Sequence, residues 1–134
     1  MRYQRAAQPL KLDGLGAART FFAGCLAESD PARECLWVAH VDEQSKCLHL
    51  SRHEGGACSA DFPLRAIARD AALYGSAGIL LAHNHPSGDV RPSPSDCLAT
   101  RKLSVAVEAM GCRVQDHLVF AENGFSSFRQ LGLL

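Results

Sequence analysis

A chain of 134 residues has the length of one ordinary domain, and it can bury roughly two thirds of its unfolded surface without disulfide or metal staples. Apolar residues make up 47% and charged residues 21%, the balance of a globular chain rather than a disordered one. Lys plus Arg and Asp plus Glu each total 14, so the zero balance argues against a general nucleic-acid-binding surface; no run approaches the roughly 20 apolar residues that span a bilayer, and the N-terminus has no signal-peptide core.

Residues 1–13 read as a short N-terminal tail, in which Arg2, Arg5 and Lys11 precede the first acid. "GLGAARTFFAGCLAES" then places Leu15, Ala18, Phe22 and Leu26 near helical spacing. "ECLWVAHV" reads as a buried strand, "DEQS" as a polar turn and "KCLHLSR" as the returning strand of a hairpin. "GGACSADFP" is turn-rich, with at most a short strand. "PLRAIARDAALYG" begins with Pro63 and ends at Gly75, the usual asymmetry of helix ends. "GILLAHNH" fits a central strand that ends at a site.

"SPSDCLATRKLSVAVEAMG" carries strong helix signals: Ser93 as N-cap, Pro94 at the first position, Asp96 at the third and Gly111 at the close. "CRVQDHLVF" reads as a strand and "GFSSFRQL" as a final strand or turn. Strands alternate with helices, which predicts an α/β fold, a mixed β-sheet flanked by helices; the hairpin argues against a wholly parallel sheet. The cysteines are Cys25, Cys35, Cys47, Cys58, Cys97 and Cys112, with no C-x-x-C pair. They read as buried free thiols in a reducing, cytoplasmic compartment.

His83 and His85 stand one residue apart where the apolar run ends. Residues i and i+2 of a strand face the same side, roughly 6.5 to 7 Å apart, so two imidazoles are presented together. That is a common way to offer two nitrogens to zinc, which in a catalytic site takes a third protein ligand and leaves one position open. The turn-forming "PSGDVRP" brings the next helix start back beside the pair, and Asp96 in its first turn can supply the third ligand. Taken alone, the Ser-x-x-Asp box is only a helix cap and the His pair only strand-end polar residues. Asp89 is a rival carboxylate, already explained by its turn. There is no H-E-x-x-H helix, and no H-x-E with P-C-x-x-C as in zinc deaminases.

The spacing H-x-H, seven residues, Ser, two residues, Asp matches the JAMM signature of the MPN+/JAB metallopeptidase domains, filled by His83, His85, Ser93 and Asp96. "AHNHPSGDVRPSPSD", "QDHLVF" and "GFSSFRQLGLL" resemble the RadC-like JAB branch over about residues 14–134, which is taken as the domain. The resemblance implies the JAB/MPN, cytidine-deaminase-like α-β-α architecture. It also implies one Zn2+ per chain on His83, His85 and Asp96, Glu34 as general base, Ser93 as oxyanion donor, and hydrolysis of an amide or isopeptide bond. His117 in "DHLVF" matches the family too and is read as a hydrogen-bonded structural histidine; His40, His49 and His53 carry no site argument.

Two departures stand out. RadC proteins usually carry a helix-hairpin-helix segment before this domain, whereas only a short stretch precedes it here, and "FPLRAIARDA" lacks the Pro-Arg-Glu that usually begins that helix. The expected partner is a peptide or protein substrate, with a homodimer left open and direct nucleic-acid or membrane binding not expected. The alternative function is a non-catalytic protein-interaction module associated with DNA repair or replication.

Overall fold

The computed structural model describes residues 10–55 and 62–134. Helix α1 spans Gly14–Ala27, strand β1 Cys35–Val41, β2 Cys47–Glu54, α2 Leu64–Tyr74, β3 Gly78–Asn84, α3 Pro94–Glu108, β4 Arg113–Ala121 and β5 Gly124–Ser127. The strands form one sheet in the order β2-β1-β3-β4-β5. β1 runs antiparallel to both β2 and β3, β3 runs parallel to β4, and β5 returns antiparallel to β4. The hairpin expectation and the mixed sheet are both realised.

Alternation along β1 explains why it reads as a continuous apolar run. Cys35, Trp37, Ala39 and Val41 face α1, where they pack with Ala18, Phe22 and Cys25 and with Leu80, Ala82 and Leu118. Leu36 and Val38 face the other way, with Ile79 and Leu81, against Ile67 and Ala71 of α2 and Leu103 and Val107 of α3. A strand covered on both faces has no polar side to show. The result is an α-β-α sandwich, with α1 on one face of the sheet and α2 and α3 on the other.

Local chemistry sets the helix ends. Gly75 closes α2 at φ 62°, in the left-handed region where a Cβ is unfavourable. Pro63 occupies the N-cap position of α2 rather than its first turn. α3 ends at Glu108, and Gly111, at φ +78°, turns the chain into β4. "GFSSFRQL" divides into the four-residue β5 and a run of turns.

Residues 10–13 are tied to the hairpin: Leu12 N–H donates to the Ser45 carbonyl at 2.7 Å, Cys47 N–H donates to the Leu10 carbonyl at 2.7 Å, and Leu12 is buried under α1. Most of the turn-rich "GGACSADFP" and residues 1–9 lie outside the described residues. Cys25, Cys35, Cys47 and Cys112 are buried free thiols and Cys97 is half-buried, while Cys58 lies outside the described residues. Burial pushes the Cys25 thiol up to about 12, so it packs as an apolar group. Among the described residues, no helix is long and apolar enough to cross a membrane.

This topology positions one end of the sheet. β1 and β3 are antiparallel, so the start of β1 lies beside the end of β3, and Leu36 pairs with His83. β3 and β4 are parallel, so Val119, near the end of β4, flanks His83 on the other side. In open α/β sheets, ligand sites form outside the carboxyl ends of such strands.

Candidate metal centre

His83 is fully buried near the end of β3, on the face covered by α2 and α3. His85 follows just beyond the strand, and its N–H extends the β3–β4 ladder by donating to the Phe120 carbonyl at 2.7 Å. The chain then turns through 86–92 into the capping box of α3. There Asp96 N–H donates to Ser93 Oγ at 3.0 Å, and Ser93 N–H donates to Asp96 Oδ2 at 2.8 Å. That reciprocal cap holds the Asp96 carboxylate rigidly at the helix start, only 2% exposed.

The same Oδ2 lies 3.3 Å from His83 Nε2 and 3.1 Å from His85 Nε2, and the two Nε2 atoms are 2.9 Å apart. Glu34, immediately before β1, completes the group: one ligand atom each from Glu34, His83, His85 and Asp96 lie within 4.8 Å of one another. Glu34 is half-buried and lines an open cleft of about 580 Å³ with His85, Ser93 and Asp96. The structure thus brings together all five residues singled out in the sequence.

The donor pattern of His85 bears on what the group can hold. Its Nδ1 lies 2.6 Å from the Asp89 carbonyl, and a carbonyl can only accept, so Nδ1 carries the hydrogen. In the tautomer with its hydrogen on Nδ1, the ring presents a bare lone pair at Nε2, next to an acceptor-only carboxylate. The Ser93 N–H, donating to Oδ2 at 2.8 Å, favours the charged carboxylate. Lone pairs facing one another at 2.9–3.1 Å repel unless a cation sits among them. Two imidazole nitrogens and a carboxylate oxygen match the ligand chemistry of a three-ligand zinc site with an open fourth position. The residues fit the ion that the signature implies.

Asp89 contributes its main chain, not its carboxylate. Its side chain receives Arg91 Nε and Nη2 at 2.9–3.2 Å, which holds it at about 2 and turned toward the loop. His117 lies fully buried behind His83, with its Nε2 2.7 Å from His83 Nδ1. Burial pushes its imidazole well below the ordinary value, so it stays neutral. Its Nδ1 meets Thr100 Oγ1 at 2.8 Å. Sequence reasoning missed Thr100. The available signal was its place four residues after Asp96, one helical turn along the same face.

A family model described as the RadC-like JAB domain matches residues 16–133. The chain is 34% identical over 108 residues to a UPF0758 protein of Porphyromonas gingivalis, covering 79% of this chain and 48% of the relative. It is 33% identical over 103 residues to the UPF0758 protein YfjY of Escherichia coli, covering 76% of this chain and 64% of the relative. A UPF0758 protein of Haemophilus influenzae is 39% identical over 104 residues, 76% of this chain and 47% of the relative. The chain thus spans about half the length of most of these relatives.

Proposed function

The chain belongs to the RadC-like JAB domain family, and we propose that it acts as a metal-dependent hydrolase of amide or isopeptide bonds, a JAMM-type zinc metallopeptidase. The observation that carries this reading is the convergence of Glu34, His83, His85 and Asp96 within 4.8 Å, with Glu34, His85 and Asp96 lining an open cleft. His83, His85 and Asp96 would hold one zinc ion, which when bound supplies Lewis acidity to water and to a substrate carbonyl.

The remaining chemistry belongs to side chains. Glu34 accepts a proton from the attacking water and delivers it to the nitrogen that leaves as the C–N bond breaks. Ser93 Oγ accepts from Asp96 N–H and keeps its own hydrogen free to donate to the developing oxyanion, so cap and catalytic donor coexist in one hydroxyl. The substrate is a peptide or protein segment that reaches the cleft. A base beside the ligand set favours an enzyme over a passive scaffold.

Glu34→Gln tests the assignment. The variant should fold, retain zinc and lose roughly 10²-fold or more in hydrolysis of a peptide or isopeptide that the parent cleaves and His85→Ala does not. Unchanged turnover would remove Glu34 from the mechanism. Loss of zinc would recast it as a ligand. If neither protein cleaves anything while both bind the same partner, the protein is an interaction module.

A further inference from the structure

The geometry points to Thr100 and His117 as positioning residues that fix the tautomer of His83, leaving its Nε2 lone pair free for an ion. This rests on the metal-centre reading and extends it behind the ligand set.

The direction of each hydrogen bond follows from the one before it. Thr100 Oγ1 donates to the Asp96 carbonyl at 2.8 Å. A hydroxyl has a single hydrogen, so toward His117 Nδ1, also at 2.8 Å, it can only accept. His117 therefore carries its hydrogen on Nδ1, and the Nε2 of its neutral, fully buried ring is an acceptor. The group facing that Nε2, at 2.7 Å, is His83 Nδ1, which must donate. His83 Nε2 is then left bare and faces His85 Nε2 and Asp96 Oδ2.

The opposite order would place a hydrogen on His83 Nε2 and close that position to an ion. Phe128 stacks on the His117 ring at 4.6 Å and 15°, and Asp116 Oδ1 accepts its backbone N–H at 2.7 Å, so the ring is held in place. One turn of α3 thus supplies both a ligand, the Asp96 carboxylate, and the carbonyl that ends the chain from the other ligand.

The test combines tautomer and affinity readouts on the full chain. Long-range 1H–15N correlation of the imidazoles in slightly alkaline buffer should show the Nδ1–H tautomer at His117. Competition against a chromophoric chelator should show Thr100→Val weakening zinc binding by roughly 10- to 100-fold, the usual cost of losing such an outer partner. Thr100→Ser keeps the hydroxyl and should restore parent affinity. Should Thr100→Val fail to fold, His117→Gln, whose amide oxygen can still accept from His83, should hold zinc more tightly than His117→Leu. An Nε2–H tautomer at His117, or parent affinity in Thr100→Val, would overturn the inference. No zinc uptake by the parent would instead overturn the metal-centre reading, while the His117 tautomer in the same sample still decides the relay.

Discussion

Replacing Asp96 by Asn separates a helix cap from a metal ligand. In the metal-free protein the change should cost little. The new amide oxygen can still accept Ser93 N–H, the contact that Asp96 Oδ2 makes at 2.8 Å. What is lost is a negative charge at a helix N-terminus, worth about 0.3 to 1 kcal/mol. With zinc the two proteins should diverge. At free zinc of about 100 times the parent Kd, the parent gains about 2.7 kcal/mol. If losing the carboxylate weakens binding at least as much as losing an outer partner, roughly 100-fold, the variant gains only about 0.4 kcal/mol. For a chain of this length, about 3 to 5 °C per kcal/mol converts these to shifts of roughly 8 to 13 °C and 1 to 2 °C. Differential scanning fluorimetry with and without zinc reads both. Equal zinc shifts in parent and variant would refute Asp96 as a ligand. A large metal-free loss with equal zinc shifts would leave the residue as a cap alone.

Ser93→Ala removes the N-cap acceptor and should lower stability by about 0.5 to 2 kcal/mol. If Ser93 also donates to the oxyanion, kcat should fall by roughly 10²- to 10³-fold with zinc retained; a thermal shift with unchanged kcat would assign it to the cap alone. The pH dependence of stability should carry the mark of His40. This side chain is fully buried, held at Nδ1 by Ser76 Oγ at 2.8 Å, and lowered by burial from 6.5 to about 4. Below 6.5 the unfolded chain takes up a proton that the folded ring resists until about 4, so stability falls as pH drops through that window and levels off below it. Urea unfolding of metal-free protein should lose about 2 kcal/mol from this residue between about pH 7 and 5. His40→Gln should flatten that slope; an unchanged slope would contradict the assignment.

Much of the fold was legible because its signals are local. The capping box of α3, the Gly75 stop and the alternation of β2 each belong to a few consecutive residues. The His83, His85, Ser93 and Asp96 set was legible for the same reason, since one strand end, one turn and one helix start hold all four. Glu34 was different. It is far from the others in sequence and joins them only because β1 runs antiparallel beside β3, which spacing cannot disclose. The resemblance to the family singled it out, and the register explains why it arrives. Thr100 escaped notice because its one sequence signal, a place one helical turn after Asp96, would attach to any residue at that position. Its role depends on His117, which β4 brings alongside β3.

The account stands most directly on whether the chain holds one zinc ion through His83, His85 and Asp96. Metal analysis after dialysis near neutral pH, on the parent and on single-alanine variants, measures this. The predicted result is about one zinc per chain in the parent and in Asp89→Ala, whose side chain faces Arg91, and loss of most of it in His83→Ala and Asp96→Ala. A parent that takes up no zinc, or one stripped by Asp89→Ala but not by Asp96→Ala, would contradict the assignment.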